Sequence, residues 1–170
     1  MSSRYPAELE EALVLRDGSR LRLRPIQAAD ADRLRAFFDT LSERSRYQRF
    51  LQHMKELPPD LLARFTQLDY ERELALVALD GEHFVAVGRY APNDDGVTAE
   101  FGLVVADAWQ AKGIGRALLE RLCDAARRAG YQALYGHILD ANHEMLQLAA
   151  RLGFVQAGRN GAELSVVRRL

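Results

Sequence analysis

The sequence predicts an α/β domain built on a mixed sheet. Two observations carry that expectation. Turn-forming residues divide the chain into the order β, helices, three β, α, β, α, β, β. The three consecutive strands are joined by tight turns, which makes an antiparallel meander, whereas the later β–α–β stretch requires a crossover. At 170 residues, 48% of them hydrophobic and 28% charged, the chain suits a single domain with a real core, and no repeat, low-complexity tract or linker interrupts it. The expected division is a polar lead-in over residues 1–11 and one domain over residues 12–170.

The elements follow in order. Ala12–Leu15 and Arg20–Arg24 read as a hairpin around Asp17-Gly18. In its second strand Leu21 and Leu23 alternate with Arg20, Arg22 and Arg24, which predicts one buried and one wet face. Pro25 ends it. Asp30 or a neighbour caps a helix whose stripe is Leu34, Phe37, Phe38 and Leu41. Ser42 opens a second helical piece through Phe50, and Pro58-Pro59 precedes a third over Asp60–Gln67. The strands Glu73–Leu79, Phe84–Tyr90 and Val97–Val105 follow, separated by Asp80-Gly81 and by Pro92–Gly96. Gly113–Ala129 is a helix stopped by Gly130, Tyr131–Leu139 a strand, and Asn142–Leu152 a helix stopped by Gly153. Phe154–Gly158 and Glu163–Arg169 close the chain as a hairpin around Asn160-Gly161.

Composition excludes more than it assigns. A net charge of −1 gives no pull toward nucleic acid, and no apolar run predicts a membrane partner. Arg4, Pro6, Glu8, Glu10 and Glu11 do not make a signal peptide, so a cytoplasmic protein is expected. The single Cys123 sits among Leu119, Leu122 and Ala126 and reads as a small buried hydrophobe. His53, His83, His137 and His143 lack ligand spacing, so no metal site is expected; His137 could line a cleft but reads more simply as a structural or surface residue. Arg44, Arg46 and Arg49 could contact an acidic substrate or a cofactor phosphate but read more simply as a solvated helix face. Trp109 is expected to pack.

The chemistry concentrates in Glu100–Leu119, EFGLVVADAWQAKGIGRALL, where an apolar strand runs through a glycine loop into a helix. Backbone N–H groups at such a helix start suit phosphate oxygens. The dinucleotide fingerprint fails because Leu118 stands where Gly or Ala is needed, and the P-loop fails because Arg116-Ala117 replace its Lys-Ser/Thr pair. Gln110, Gly113 and Gly115 instead fit Gln/Arg-x-x-Gly-x-Gly/Ala. Lys112 in this loop is one of only two lysines, with Lys55. Upstream, Glu100 is a carboxylate in an otherwise apolar strand, an expensive position unless solvated or used. Alternation puts Glu100, Gly102 and Val104 on one face and Phe101, Leu103 and Val105 on the other.

The Gln110–Gly115 pattern resembles the acyl-CoA pyrophosphate loop of the GNAT superfamily of N-acetyltransferases. The segments Asp17–Ile26, Leu41–Phe50, Asp69–Leu79 and Ala99–Val105 resemble, more narrowly, the acetyltransferase domain of bacterial Pat-type protein lysine acetyltransferases. The resemblance implies a mixed, mostly antiparallel sheet of about seven strands flanked by helices and splayed between the fourth and fifth. It implies acetyl-CoA as co-substrate, with Leu103, Val104 and Val105 as the open strand edge. Gln110, Ala111, Lys112, Gly113, Ile114, Gly115 and Arg116 become the phosphate loop, and Asn142 a further cofactor contact. Glu100 becomes the general base. The tyrosine that many relatives place seven residues after the asparagine is Ala149 here, which leaves the general acid unassigned. The acceptor implied is a primary amine, a protein lysine by the Pat likeness. A small-molecule amine, or a non-catalytic acyl-CoA-binding module, is the alternative. A monomer or homodimer is expected.

Overall fold

The computed structural model describes residues 4–170. One eight-stranded sheet organises them. Its strands are β1 (Glu11–Val14), β2 (Arg20–Pro25), β3 (Leu74–Asp80), β4 (His83–Pro92), β5 (Thr98–Val105), β6 (Ala133–Leu139), β7 (Val155–Asn160) and β8 (Glu163–Arg169). They lie in the order β1-β2-β3-β4-β5-β6-β8-β7. Every neighbouring pair is antiparallel except β5 and β6, which α4 (Ile114–Arg128) connects as a crossover. The remaining helices are α1 (Ala31–Thr40), α2 (Glu43–Phe50), α3 (Pro59–Thr66) and α5 (His143–Arg151).

The fold is the expected one: all eight strands read along the sequence, the short β1 included, join one sheet, against the about seven that the family resemblance implies. The splayed pair is therefore β5 and β6, fifth and sixth along the chain. Their ladder runs only from Thr98↔Ala133 to Phe101↔Gly136, although β5 continues to Val105 and β6 to Leu139. Beyond that point the strands diverge, and the edge of residues 102–105 has no ladder partner. Gly136 makes the apex possible, because a Cβ there would lie 2.3 Å from the Phe101 ring. That ring crosses the apex and meets Phe154 edge-on at 5.3 Å.

Two cores sandwich the sheet. α4 and α5 cover one face with Ile114, Leu118, Leu122, Cys123 and Ala149 against Leu76, Ala86, Phe101 and Leu103. α1 and α3 cover the other with Leu34, Phe37, Phe38 and Leu62 against Ile26, Val77 and Leu79. Central β3 feeds both, which explains its unbroken apolar run. Cys123 is fully buried, and burial pushes its thiol pKa up, as suits a core residue.

Arg24 departs from the expected wet face. It is buried and forks onto Asp30 at 2.7 and 2.8 Å, and Asp30 also accepts from the Gln27 N–H. Asp30 thus ties β2 to the entrance of α1 rather than capping the helix with its side chain. Burial alone would raise the Asp30 pKa; the Arg24 fork and the Gln27 N–H outweigh it and hold it below the usual carboxylate range. Residues 1–3 of the anticipated lead-in lie outside the described residues; from Arg4 onward the segment turns through Ala7–Leu9 and sets Tyr5 edge-on against Tyr70.

Candidate active site

The splay opens a cleft of about 610 Å³ between β5, α2, the start of α4 and α5. Each residue proposed from the sequence lines it: Glu100, Leu103, Val104 and Val105 from β5, Gln110–Arg116 from the loop, and Asn142 at the start of α5.

The loop is shaped by backbone. Ala111 and Gly113 both take left-handed conformations, with φ of 62° and 89°. Such alternation curls successive N–H groups toward one point. The first helical hydrogen bond of α4 runs from the Ala117 N–H to the Gly113 carbonyl at 3.1 Å. Among the described residues, no backbone or side-chain acceptor meets the six N–H groups from Ala111 to Arg116. At Gly115 a Cβ would lie 3.4 Å from Leu148 and 3.6 Å from Leu103, ordinary contact distances, so α5 packs against this turn. Arg16, Lys112, Arg116 and Arg151 ring the same end. Lys112 is held 3.2 Å from Asp17 in the first hairpin turn, and Ser19 and Lys112 together pull the Asp17 carboxyl down to about 2. A row of free N–H donors in a cationic rim fits a pyrophosphate.

Two of the expected contacts have structural duties. The Gln110 side chain donates to the Val105 carbonyl at 3.1 Å and to the Ser45 hydroxyl at 3.4 Å, which anchors the loop to the end of β5 and to α2. Asp107 reinforces that anchor by accepting from the Ser42 N–H and from the Ser42 and Ser45 hydroxyls. Asn142 caps α5, its Oδ1 accepting from the Met145 N–H at 3.3 Å, so its amide NH₂ is the group left to face the cleft.

At the other end Glu100 is half exposed on the face of β5 that α2 approaches. His137 of β6 lies between two carboxylates, Nε2 3.3 Å from Glu100 and Nδ1 3.0 Å from Glu163 of β8. A neutral imidazole has one N–H and can donate to one of them; an imidazolium donates to both. His137 thus belongs to the cleft, not to an inert surface. Sequence alternation could place it on the correct face of β6, but only the sheet order brings β8 beside it.

The arginine cluster of α2 also differs from expectation. Arg44 is exposed. Arg46 lies over Phe38 at 4.3 Å, and Arg49 turns inward over Phe50 at 4.7 Å. The Arg49 guanidinium rests on Gly102, where a Cβ would sit 2.5 Å from Cζ. Burial, then the like charge of Arg89, pull its pKa down to about 10, while the Glu100 charge works the other way. Ala149 is buried in the core, and Tyr131 donates to the Arg72 carbonyl, so neither supplies an acid at the cleft. Among the described residues no group of three His, Cys, Asp or Glu side chains could hold a metal ion, and no helix is long and apolar enough to cross a membrane.

Comparison with known proteins agrees with this geometry. Residues 34–154 match the sequence model of the Acetyltransferase (GNAT) family. The chain belongs to the GNAT family. This GNAT chain is 36% identical over 160 residues to the acetyltransferase PA5475 of Pseudomonas aeruginosa, covering 92% of the chain and 86% of that protein. It superposes on the crystal structure of the GNAT domain of S. lividans PAT with a TM-score of 0.92 at 32% identity, covering 98% of this chain and all of that domain. It is 28% identical over 144 residues to the acetyltransferase Pat of Mycolicibacterium smegmatis, where 83% of this chain spans only 43% of that protein. The chain is therefore an acetyl-CoA-dependent GNAT acetyltransferase.

Proposed function

We propose that this GNAT enzyme acetylates the side-chain amine of a protein lysine, with Glu100 as general base. The reading is carried by one juxtaposition on β5. The unpaired edge of residues 102–105 leads from the Glu100 carboxylate to the free N–H groups of the loop. A thioester donor whose pyrophosphate sits on Ala111–Arg116 and whose pantetheine amides extend that edge brings its carbonyl beside Glu100. Asn142 would meet the pantetheine arm through its free NH₂.

A lysine ammonium with a pKa of ~10.4 is neutral only about once in 10³ at pH 7, so a base must remove its proton. Glu100 takes it, directly or through a water. The amine nitrogen then bonds to the thioester carbon, backbone N–H groups of β5 steady the oxyanion, the nitrogen sheds its second proton to solvent, the C–S bond breaks, and CoA thiolate leaves. No covalent enzyme intermediate forms. His137 bridges Glu100 to Glu163 and offers a path by which the captured proton reaches solvent.

A protein acceptor is supported by the likeness to the S. lividans PAT domain along the whole chain. Glu100→Gln tests the reading. Turnover on a lysine peptide should fall about 10²-fold or more, with acetyl-CoA affinity by calorimetry unchanged within about twofold. Full activity in that variant removes the base assignment. Tight CoA binding by the wild type with no transfer to any amine would instead make the domain a binding module.

A further inference from the structure

Arg89 of β4 is the strand partner of Gly102, so its side chain rises on the same sheet face as Glu100, directly beside the Arg49 guanidinium. Arg89 is more than nine-tenths buried, and its Nη1 is sealed from solvent without a hydrogen-bond acceptor. Phe65 is stacked under both arginines, at 4.1 Å from Arg89 and 5.9 Å from Arg49. Among the described residues no carboxylate lies within ion-pair distance of either, and neither side chain donates a hydrogen bond. Arg89 is thus a buried cation beside a second, partly buried one, with aromatic faces as their contacts and only the charges of Glu73 and Glu100, beyond ion-pair distance, to offset them.

That arrangement is costly. A cation–π contact recovers less than is lost when a charge is buried without a counter-ion. Burial lowers the Arg89 pKa to about 10, and Arg49 matches it, so both stay charged at neutral pH. What the pair lacks is an anion in direct contact, and the space for one exists. A cavity of about 30 Å³ has Arg49 and Arg89 in a wall that is otherwise apolar, with Phe37, Phe38, Val87 and Val104 among its other residues. Arg49, Phe50 and Val104 are walls common to this cavity and to the catalytic cleft. Its volume is roughly twice what one buried water needs, enough for the two oxygens of a carboxylate but tight for a tetrahedral phosphate. Planar guanidinium forks match that planar group.

We infer that Arg49 and Arg89 form a carboxylate-binding subsite that opens onto the acyl-transfer centre and selects a substrate carrying a carboxylate near the reacting group. The inference rests on the cleft being an acyl-transfer centre, not on the acceptor being a protein. Glu100 and Gly102 are successive residues on one face of β5, about 6–7 Å apart along the strand. A carboxylate at Arg49 therefore belongs to a molecule whose amine or thioester carbonyl reaches Glu100. It comes either from an acidic residue beside the acceptor lysine or from the far end of the acyl group. The absence of a side chain at Gly102 is what admits the Arg49 guanidinium.

The test compares substrates in matched pairs with the full chain. One pair is a lysine peptide with Asp or Asn beside the lysine, using acetyl-CoA. The other is succinyl-CoA or acetyl-CoA, using the Asn peptide. One pair should show a preference of at least about tenfold in kcat/KM for the carboxylate, and which pair identifies its source. Arg89→Met should bring that ratio close to one while turnover of the uncharged substrate stays near wild type, with Tm held or raised. Gly102→Ala, which displaces Arg49 without deleting a charge, should reduce the same ratio. A reading free of turnover is the Tm shift given by succinate over that given by succinamide, which Arg89→Met should abolish. The inference is overturned if neither pair nor the Tm shift favours the carboxylate in the wild type. It is equally overturned if Arg89→Met lowers Tm and leaves the ratio intact, because Arg89 is then packing only. Loss of activity in Glu100→Gln with no carboxylate preference anywhere would keep the base and discard the subsite.

Discussion

The donor end and the acceptor end of the β5 cleft are built by different means. The donor end is made of backbone: six free N–H groups, two left-handed residues and a glycine against which α5 packs. Its residues are nearly contiguous. The acceptor end is made of side chains from α2, β4, β5, β6 and β8, and its charges stand half or wholly out of water. Every acyl-CoA presents the same pyrophosphate and pantetheine, so a fixed backbone frame suits that end. Acceptors differ, and side chains can be exchanged without rebuilding the frame.

The contrast predicts different failures. The layer over the acceptor face hangs on the buried Arg24–Asp30 pair, so breaking that pair should give the largest effect. Asp30→Asn leaves Arg24 buried without its counter-charge and should cost about 3–5 kcal/mol in chemical denaturation. The same pair sets an acid limit. The Asp30 pKa is held low in the folded state, so its stabilisation is complete above the unfolded carboxylate pKa of ~3.9. It drains away as pH falls from there through the folded value. The wild type should lose stability over that window, and Asp30→Asn should flatten that part of the profile. A loss under 1 kcal/mol would mean the acceptor layer does not depend on its ion pair.

An intermediate effect is expected at the apex, where the two ends meet. Gly136→Ala places a Cβ 2.3 Å from the Phe101 ring, which Phe154 prevents from swinging away. Overpacking of that kind costs about 1–3 kcal/mol and should push β5 and β6 apart. Acetyl-CoA affinity and turnover should fall together, since both ends are hung from the same apex. Unchanged kinetics with lowered stability would show that the ends are positioned independently.

The contrast also explains what the sequence could reveal. Gln110, Gly113 and Gly115 announce the loop because local backbone geometry demands those residues at that spacing, and the strand order follows from turns at Asp80-Gly81, Asn93–Gly96 and Asn160-Gly161. Glu100 stood out as a carboxylate in an apolar strand. Arg24, Arg49 and His137 were misjudged for a common reason. Each reads as an ordinary polar residue within its own element, and its burial or partnership is created by elements 6 to 53 positions away: Asp30 for Arg24, Gly102 for Arg49, Glu100 and Glu163 for His137. Arg89 was invisible altogether, because Tyr90, Val87 and Ala86 around it make the strand read as plain core.

The smallest effect should appear in the donor loop, and its character matters more than its size. Gly113 holds φ at 89° with open space where a Cβ would go, so Gly113→Ala meets no neighbour and is opposed by backbone preference alone. That preference is worth about 1 kcal/mol or slightly more. Ala111 already tolerates a similar conformation two residues earlier, at φ 62°, so the turn can survive the substitution. The N–H groups at the start of α4 then relax away from their common focus. Acetyl-CoA affinity should fall about fivefold or somewhat more, while kcat at saturating donor and any carboxylate preference at Arg49 and Arg89 stay as in the wild type. If kcat collapses as well, the loop also orients the thioester at Glu100, and the division between a backbone-built donor end and a side-chain-built acceptor end fails.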